Sequence, residues 1–144
     1  MTFPFNSVYH ATKWALEGFS ESMAFELSRF GIGVKTIAPG GIDTDFVSRS
    51  MVLAQHPAYA ALVAQTMAAF ADPGRAVRRS TAEQIAEVVY QAATDGKRQL
   101  RYVAGEDAKA LYAQRLAVGD EAFRAAIDQT FLGEPTARPQ GPTG

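Results

Sequence analysis

The sequence contains no cysteine. Disulfides, thiolate nucleophiles and cysteine-ligated zinc or iron–sulfur centres are thereby excluded. The absence suits a reducing compartment, and the cytoplasm is the expected location. Long apolar runs are missing as well. The most apolar stretch, 58–64, falls far short of the roughly 18 residues that a membrane span requires. No basic residue precedes an apolar stretch at the start, 1–8, so no secretory signal is expected there. Charge of one sign is not in excess: 14 Lys and Arg face 15 Asp and Glu, a formal net charge of −1. A nucleic-acid or anionic-membrane partner needs a basic surface, and neither is expected. Two local basic groups, Arg75, Arg78 and Arg79, then Lys97, Arg98 and Arg101, read as solubilising a loop and a helix start. His10 and His56 are too far apart in sequence to suggest a metal site, and both read as surface or partly buried side chains.

What is present is a globular composition, 47% hydrophobic and 20% charged over 144 residues, a length that suits one domain. No internal repeat is visible. A long helix is expected over 7–30. Thr12, Leu16, Phe19, Met23 and Leu27 form one stripe, and Val8, Ala11, Ala15 and Ser22 form a second face of small residues. Gly31 is its stop signal. Val34–Ala38 reads as a strand ended by Pro39, Gly40 and Gly41. The stretch 45–71 reads as helix in two pieces, interrupted near His56 and Pro57 and broken at Asp72, Pro73 and Gly74. Ser80 reads as the cap of the next helix, with Glu83 completing a capping box and Ile85, Val88, Val89 and Ala92 forming its buried stripe. Gly96 stops it, and Leu100–Ala104 is a second strand ended by Gly105. Helices are expected over 107–118 and 120–132. The tail, 133–144, with Pro135, Pro139 and Pro142, is expected to be disordered.

This order of elements is a βαβ unit with a leading helix, which points to an α/β fold with a parallel sheet. Parallel sheets are covered on both faces and normally hold more than two strands. The helices here carry more apolar face than two strands can cover. More sheet is expected, from further sequence or from a partner chain.

Tyr9 and Lys13 are four residues apart at the start of the long helix, which puts them on one face, one turn apart. A nearby ammonium favours a phenolate. A phenol tuned in this way can exchange a proton with an alcohol or carbonyl oxygen as hydride leaves or reaches carbon. The spacing alone is common. Its surroundings are more specific. The run from Tyr9 through Ala11, Thr12, Lys13, Ala15, Leu16 and Gly18 resembles the active-site helix of the short-chain dehydrogenase/reductase family, whose usual form is Tyr-x-Ala-Ser-Lys. Threonine replaces serine at position 12. The path through Glu26, Leu27 and Gly31–Val34 into the strand is similar to the family's, as are Pro39, Gly40 and Thr44 to its Pro-Gly-x-x-x-Thr loop. The resemblance runs from about Asn6 to Gly105, and Asp107 after the last strand fits it too.

The resemblance implies a partial doubly wound, Rossmann-like parallel sheet over 1–132, the carboxyl-terminal half of the family's domain. The amino-terminal nucleotide-binding half, with the Gly-x-x-x-Gly-x-Gly turn and the catalytic serine, would lie upstream of Met1. NAD or NADP is the implied cofactor, and an alcohol or carbonyl compound the implied substrate. Tyr9 would be the general acid/base. Lys13 would favour its phenolate and hold the nicotinamide ribose. Ile42 and Thr44 would contact the carboxamide, and Pro39 and Gly40 would shape the turn. Asp43 and Asp45 read as helix capping rather than as metal ligands. The stretch 45–71, with Phe46, Met51, Val52, Leu53, Leu62, Met67 and Phe70, corresponds in position to the family's substrate lid, and equally suits a plain helix core. A homo-oligomer through the 7–30 helix is a further implication. Two other readings remain at this point. One is a non-catalytic remnant that serves only to bind another subunit. The other is a carbonyl-handling enzyme without nicotinamide, for which Lys13 would have to be the nucleophile.

Overall fold

The computed structural model describes residues 1–45, 49, 56–72 and 79–133. Among these described residues, five helices and two strands follow in the order α1 (Ser7–Leu27), β1 (Thr36–Pro39), α2 (Ala60–Ala71), α3 (Ala82–Thr94), β2 (Arg101–Ala104), α4 (Glu106–Val118) and α5 (Asp120–Leu132). Short 3₁₀ turns, Ser28–Phe30 and Pro57–Tyr59, end α1 and lead into α2. The strands pair in parallel, Thr36 opposite Arg101 and Pro39 opposite Ala104. This is the α/β fold with a parallel sheet that the element order implied. The expected tail and most of the first half of the 45–71 segment, including Phe46, Met51, Val52 and Leu53, lie outside the described residues, as do Pro73, Gly74, Arg75 and Arg78.

Local chemistry explains most boundaries. Gly31 adopts φ 71°, which a residue with a side chain resists, and the Ile32 amide donates back to the Leu27 carbonyl at 3.2 Å to close α1. His56 is extended, and its Nδ1 accepts from the Ala58 amide at 3.2 Å, with Pro57 at the first helical position. The second helical piece expected in 45–71 therefore begins just after His56.

Three expectations need correction. The first strand begins at Thr36 rather than Val34 and takes in Pro39. Lys35 lies before it, where its ammonium reaches the carbonyl oxygens of Lys97 and Gln99 and the Tyr102 hydroxyl. The cap of α3 is Thr81, not Ser80. The Thr81 hydroxyl accepts from the Gln84 amide at 3.3 Å, and the Gln84 side chain accepts from the Thr81 amide at 2.9 Å. Ser80 is drawn instead into a parallel bridge with Ile42, its amide donating to the Gly41 carbonyl and its carbonyl accepting from the Asp43 amide, both at 2.9 Å. In the expected stripe of α3 only Ala92 is fully buried, and Val89 is 48% exposed. Val89 sits at the rim of the stripe, beyond the reach of a two-stranded sheet.

The packed part of the molecule lies around β2, α4 and α5. Ala92, Ala104, Ala108, Phe123 and Phe131 are its buried apolar side chains. α3 packs on both strands, α4 on β2, and α5 on α2 and α4. The leading segment joins this group through Phe3, whose ring meets Phe70 at 5.8 Å and Phe131 at 5.5 Å, both edge-to-face. α1 buries none of its residues. Leu16 and Phe19 from its expected apolar stripe are 57% and 62% exposed.

Candidate active site

The start of α1 presents the phenol and the amine together. The Lys13 ammonium lies 5.5 Å from the centroid of the Tyr9 ring, within the range of a cation–π contact. Both side chains are exposed, Tyr9 by 45%. The threonine at position 12 fits the helix without disturbing the pair, since its hydroxyl donates to the Tyr9 carbonyl at 2.8 Å, a bond that a serine would also make. His10, the next residue, lies against Tyr9. The two rings approach edge-to-face at 5.5 Å. His10 Nε2 accepts from the Phe3 amide at 3.0 Å, which requires the neutral ring. Burial holds its pKa below the usual histidine value.

α1 is tied to the sheet by charge. Glu17 lies two turns beyond Tyr9, and its carboxylate accepts from Arg101 Nε at 2.9 Å and from the second guanidinium nitrogen at 2.5 Å. The hydrogen bonds to Glu17 raise the Arg101 pKa. Glu17 is also four residues from Lys13, close enough on a helix to pair with it. Its engagement by Arg101 directs that carboxylate toward β2.

The second group of expected residues stands at the carboxyl end of β1. Pro39 is its last residue, and the Gly40 amide donates to the Ala104 carbonyl at 2.9 Å, extending the pairing by one step. Ile42 forms the bridge to Ser80 and is half-buried, whereas Thr44 is exposed in the following bend. The Arg49 amide donates to the Asp45 carbonyl at 2.9 Å. Beneath the loop lies Asp107, in the first turn of α4. It is buried, and its Oδ2 accepts from the Gly41 amide at 2.6 Å, a short charge-assisted bond. Sequence reasoning saw Asp107 only as part of a resemblance and assigned it no role. The missing signal was the contact itself, which spans 66 positions.

The described contacts thus bring Tyr9 to Lys13, and Pro39, Gly40, Gly41 and Ile42 to Ala104, Ser80 and Asp107. The two groups are joined through Glu17, Arg101 and the β1–β2 pair. No group of His, Cys, Asp or Glu among the described residues could hold a metal ion. No helix among them is long and apolar enough to cross a membrane. The donor set fits the nicotinamide riboside end of a dinucleotide. An exposed ammonium and phenol suit sugar hydroxyls, and a tethered loop at the carboxyl end of a parallel strand is where such sheets bind ligands.

Comparison with known proteins places the chain by family. A family model described as short chain dehydrogenase matches residues 1–52, which include α1, β1 and the loop. An uncharacterized oxidoreductase of Schizosaccharomyces pombe is 36% identical over 126 residues, covering 87% of this chain and 52% of the relative. Oxidoreductase BOA17 of Botryotinia fuckeliana is 33% identical over 127 residues, 82% of this chain and 44% of the relative. Human retinol dehydrogenase 8 is 50% identical over 42 residues, 29% of this chain and 14% of that enzyme. The chain spans about half the length of the first two of these relatives. With the helix, the strand and the loop in the family's order, the chain belongs to the short-chain dehydrogenases.

Proposed function

We propose that this chain supplies the proton-transfer and nicotinamide-orienting part of an NAD- or NADP-dependent alcohol/ketone oxidoreductase. One observation carries the reading: an exposed phenol–ammonium pair opens α1, and the strand after that helix ends in a loop tethered by a buried carboxylate. The bound dinucleotide would accept or donate the hydride. Tyr9 takes the proton of the alcohol as the carbinol carbon is oxidised, and returns it to the carbonyl oxygen in the reverse direction. Lys13 offers hydrogen bonds to the ribose hydroxyls. Ile42 and Thr44 orient the carboxamide, and Pro39 and Gly40 set the turn that presents them.

Geometry supports the meeting of the two groups. Glu17 is held at the first residue of β2. The eight residues back to Tyr9 span about 12 Å of helix. From Arg101 to Ala104 the strand rises about 10 Å. A helix antiparallel to that strand would bring Tyr9 level with the 39–44 loop. Exposed Tyr59, Leu62 and Phe70 in the 45–71 segment favour an apolar substrate, and so does the 42-residue match to an enzyme named for retinol.

Turnover of NADH and NADPH against a panel of apolar ketones and aldehydes tests the reading. Tyr9→Phe is expected to lower kcat by about 10²- to 10⁴-fold. Undiminished turnover in Tyr9→Phe would remove Tyr9 from the chemistry.

A second reading is favoured by the bare surface of α1 and of the turn that ends it. Phe19, Phe25 and Phe30 are 62%, 72% and 78% exposed, and a second copy of the chain could cover them. Sedimentation would show a concentration-dependent dimer. A monomer at high concentration would count against it.

A further inference from the structure

Asp107 stands apart from the residues assigned above, because it acts on the loop from beneath. Asp107 is buried, with a relative exposure of 9%. Oδ2 accepts from the Gly41 amide at 2.6 Å, and Oδ1 is buried with no hydrogen-bond partner. A buried carboxylate oxygen without a partner is costly. A merely structural residue would be expected to satisfy both oxygens.

The neighbours are shaped around this carboxylate. A Cβ at Gly40 would collide with all three of its carboxyl atoms. A Cβ at Gly105 would stand 2.7 Å from Oδ1 and 2.7 Å from the Ser80 hydroxyl, and Gly105 already needs φ 94°. Gly40, Gly41 and Gly105 thus surround one acid, and the chain turns from β1 into the loop across its top. The acid sits in the first turn of α4, where the helix dipole favours negative charge.

We propose that Asp107 is a positioning residue that holds the 39–44 loop in the conformation that contacts the nicotinamide. This rests on the reading of that loop given above. Asp107 acts through the Gly41 amide and does not itself touch cofactor or substrate. Aspartate is required because only a short acid reaches Gly41 from α4 while the two flanking positions stay free of side chains. Asparagine keeps an acceptor oxygen and should preserve part of the tether, whereas alanine removes it.

The test uses the full chain and two readouts, amide hydrogen exchange and chemical-shift titration with millimolar NADH or NADPH. Asp107→Ala is expected to speed exchange at Gly41 by about tenfold or more relative to Ile37 in β1, the loss expected for a charge-assisted bond. Asp107→Asn should fall between it and the parent. Asp107→Ala should also weaken the nicotinamide-dependent shifts of residues 40–44 by a similar factor. Unchanged Gly41 exchange, or equal acceleration of Gly41 and Ile37, would overturn the proposal. So would undiminished cofactor shifts in Asp107→Ala when Thr44→Ala and Lys13→Ala reduce them. If the parent shows no shifts at 40–44 and neither of those two variants alters binding, the nicotinamide reading itself fails. The exchange of Gly41 then still decides whether Asp107 holds the loop.

Discussion

At the scale of single residues the loop is crowded. Gly40→Ala would press a methyl group against the Asp107 carboxylate, and overpacking of this kind costs about 1–3 kcal/mol. A lowered urea midpoint is expected, and an unchanged one would contradict the close approach. His10 gives a pH dependence. Its pKa is lowered in the folded chain by burial, so the unfolded chain binds the proton more readily. The bond from the Phe3 amide to His10 is therefore complete above about pH 6.5, the unfolded value, and is lost as pH falls through the lower folded value. The Phe3 amide resonance, followed from about pH 7.5 to about pH 5, should report that loss. A resonance flat across this range would rule the coupling out. Tyr9 and Lys13 were legible in the sequence because a helix brings positions i and i+4 together by local geometry. The hold of Asp107 on Gly41 was not, because nothing local connects positions 66 apart.

At the scale of elements, hydrogen-bond demand decided what pattern could not. Ser80 with Glu83 and Thr81 with Gln84 both satisfy the capping-box pattern, one residue apart. The bridge to Ile42 claims the Ser80 backbone, and the cap passes to Thr81. Glu83 still serves the helix start. Its carboxyl is held below the usual range by hydrogen bonds from its own backbone amide and from Thr81. Thr81→Ala is expected to cost about 1 kcal/mol of stability, measured by urea unfolding. A neutral result would return the cap to Ser80. Helix ends marked by glycine, at Gly31 and Gly96, were readable because positive φ selects glycine. The start of β1 was not, because Val34 and Lys35 have strand-compatible side chains and only pairing with β2 separates them from Thr36.

At the scale of the whole molecule, the apolar excess inferred from two strands is visible as bare helix. Val8, Trp14, Phe19, Phe25 and Phe30 are each at least half exposed, and five small or aromatic side chains make up the buried apolar set among the described residues. A chain with this surface and no glycine-rich phosphate turn in its sequence is expected to bind NADH or NADPH weakly. Fluorescence enhancement of either at micromolar affinity would contradict that. The proposed chemistry requires Tyr9, Lys13 and Thr44 to meet the nicotinamide riboside of one cofactor. Nuclear Overhauser contacts from the nicotinamide ring protons, recorded with the chain in millimolar NADPH or NADH, test this most directly. Contacts to both the Tyr9 ring and the Thr44 methyl group are predicted. Ring contacts confined to other residues, with Tyr9 and Thr44 silent, would contradict it.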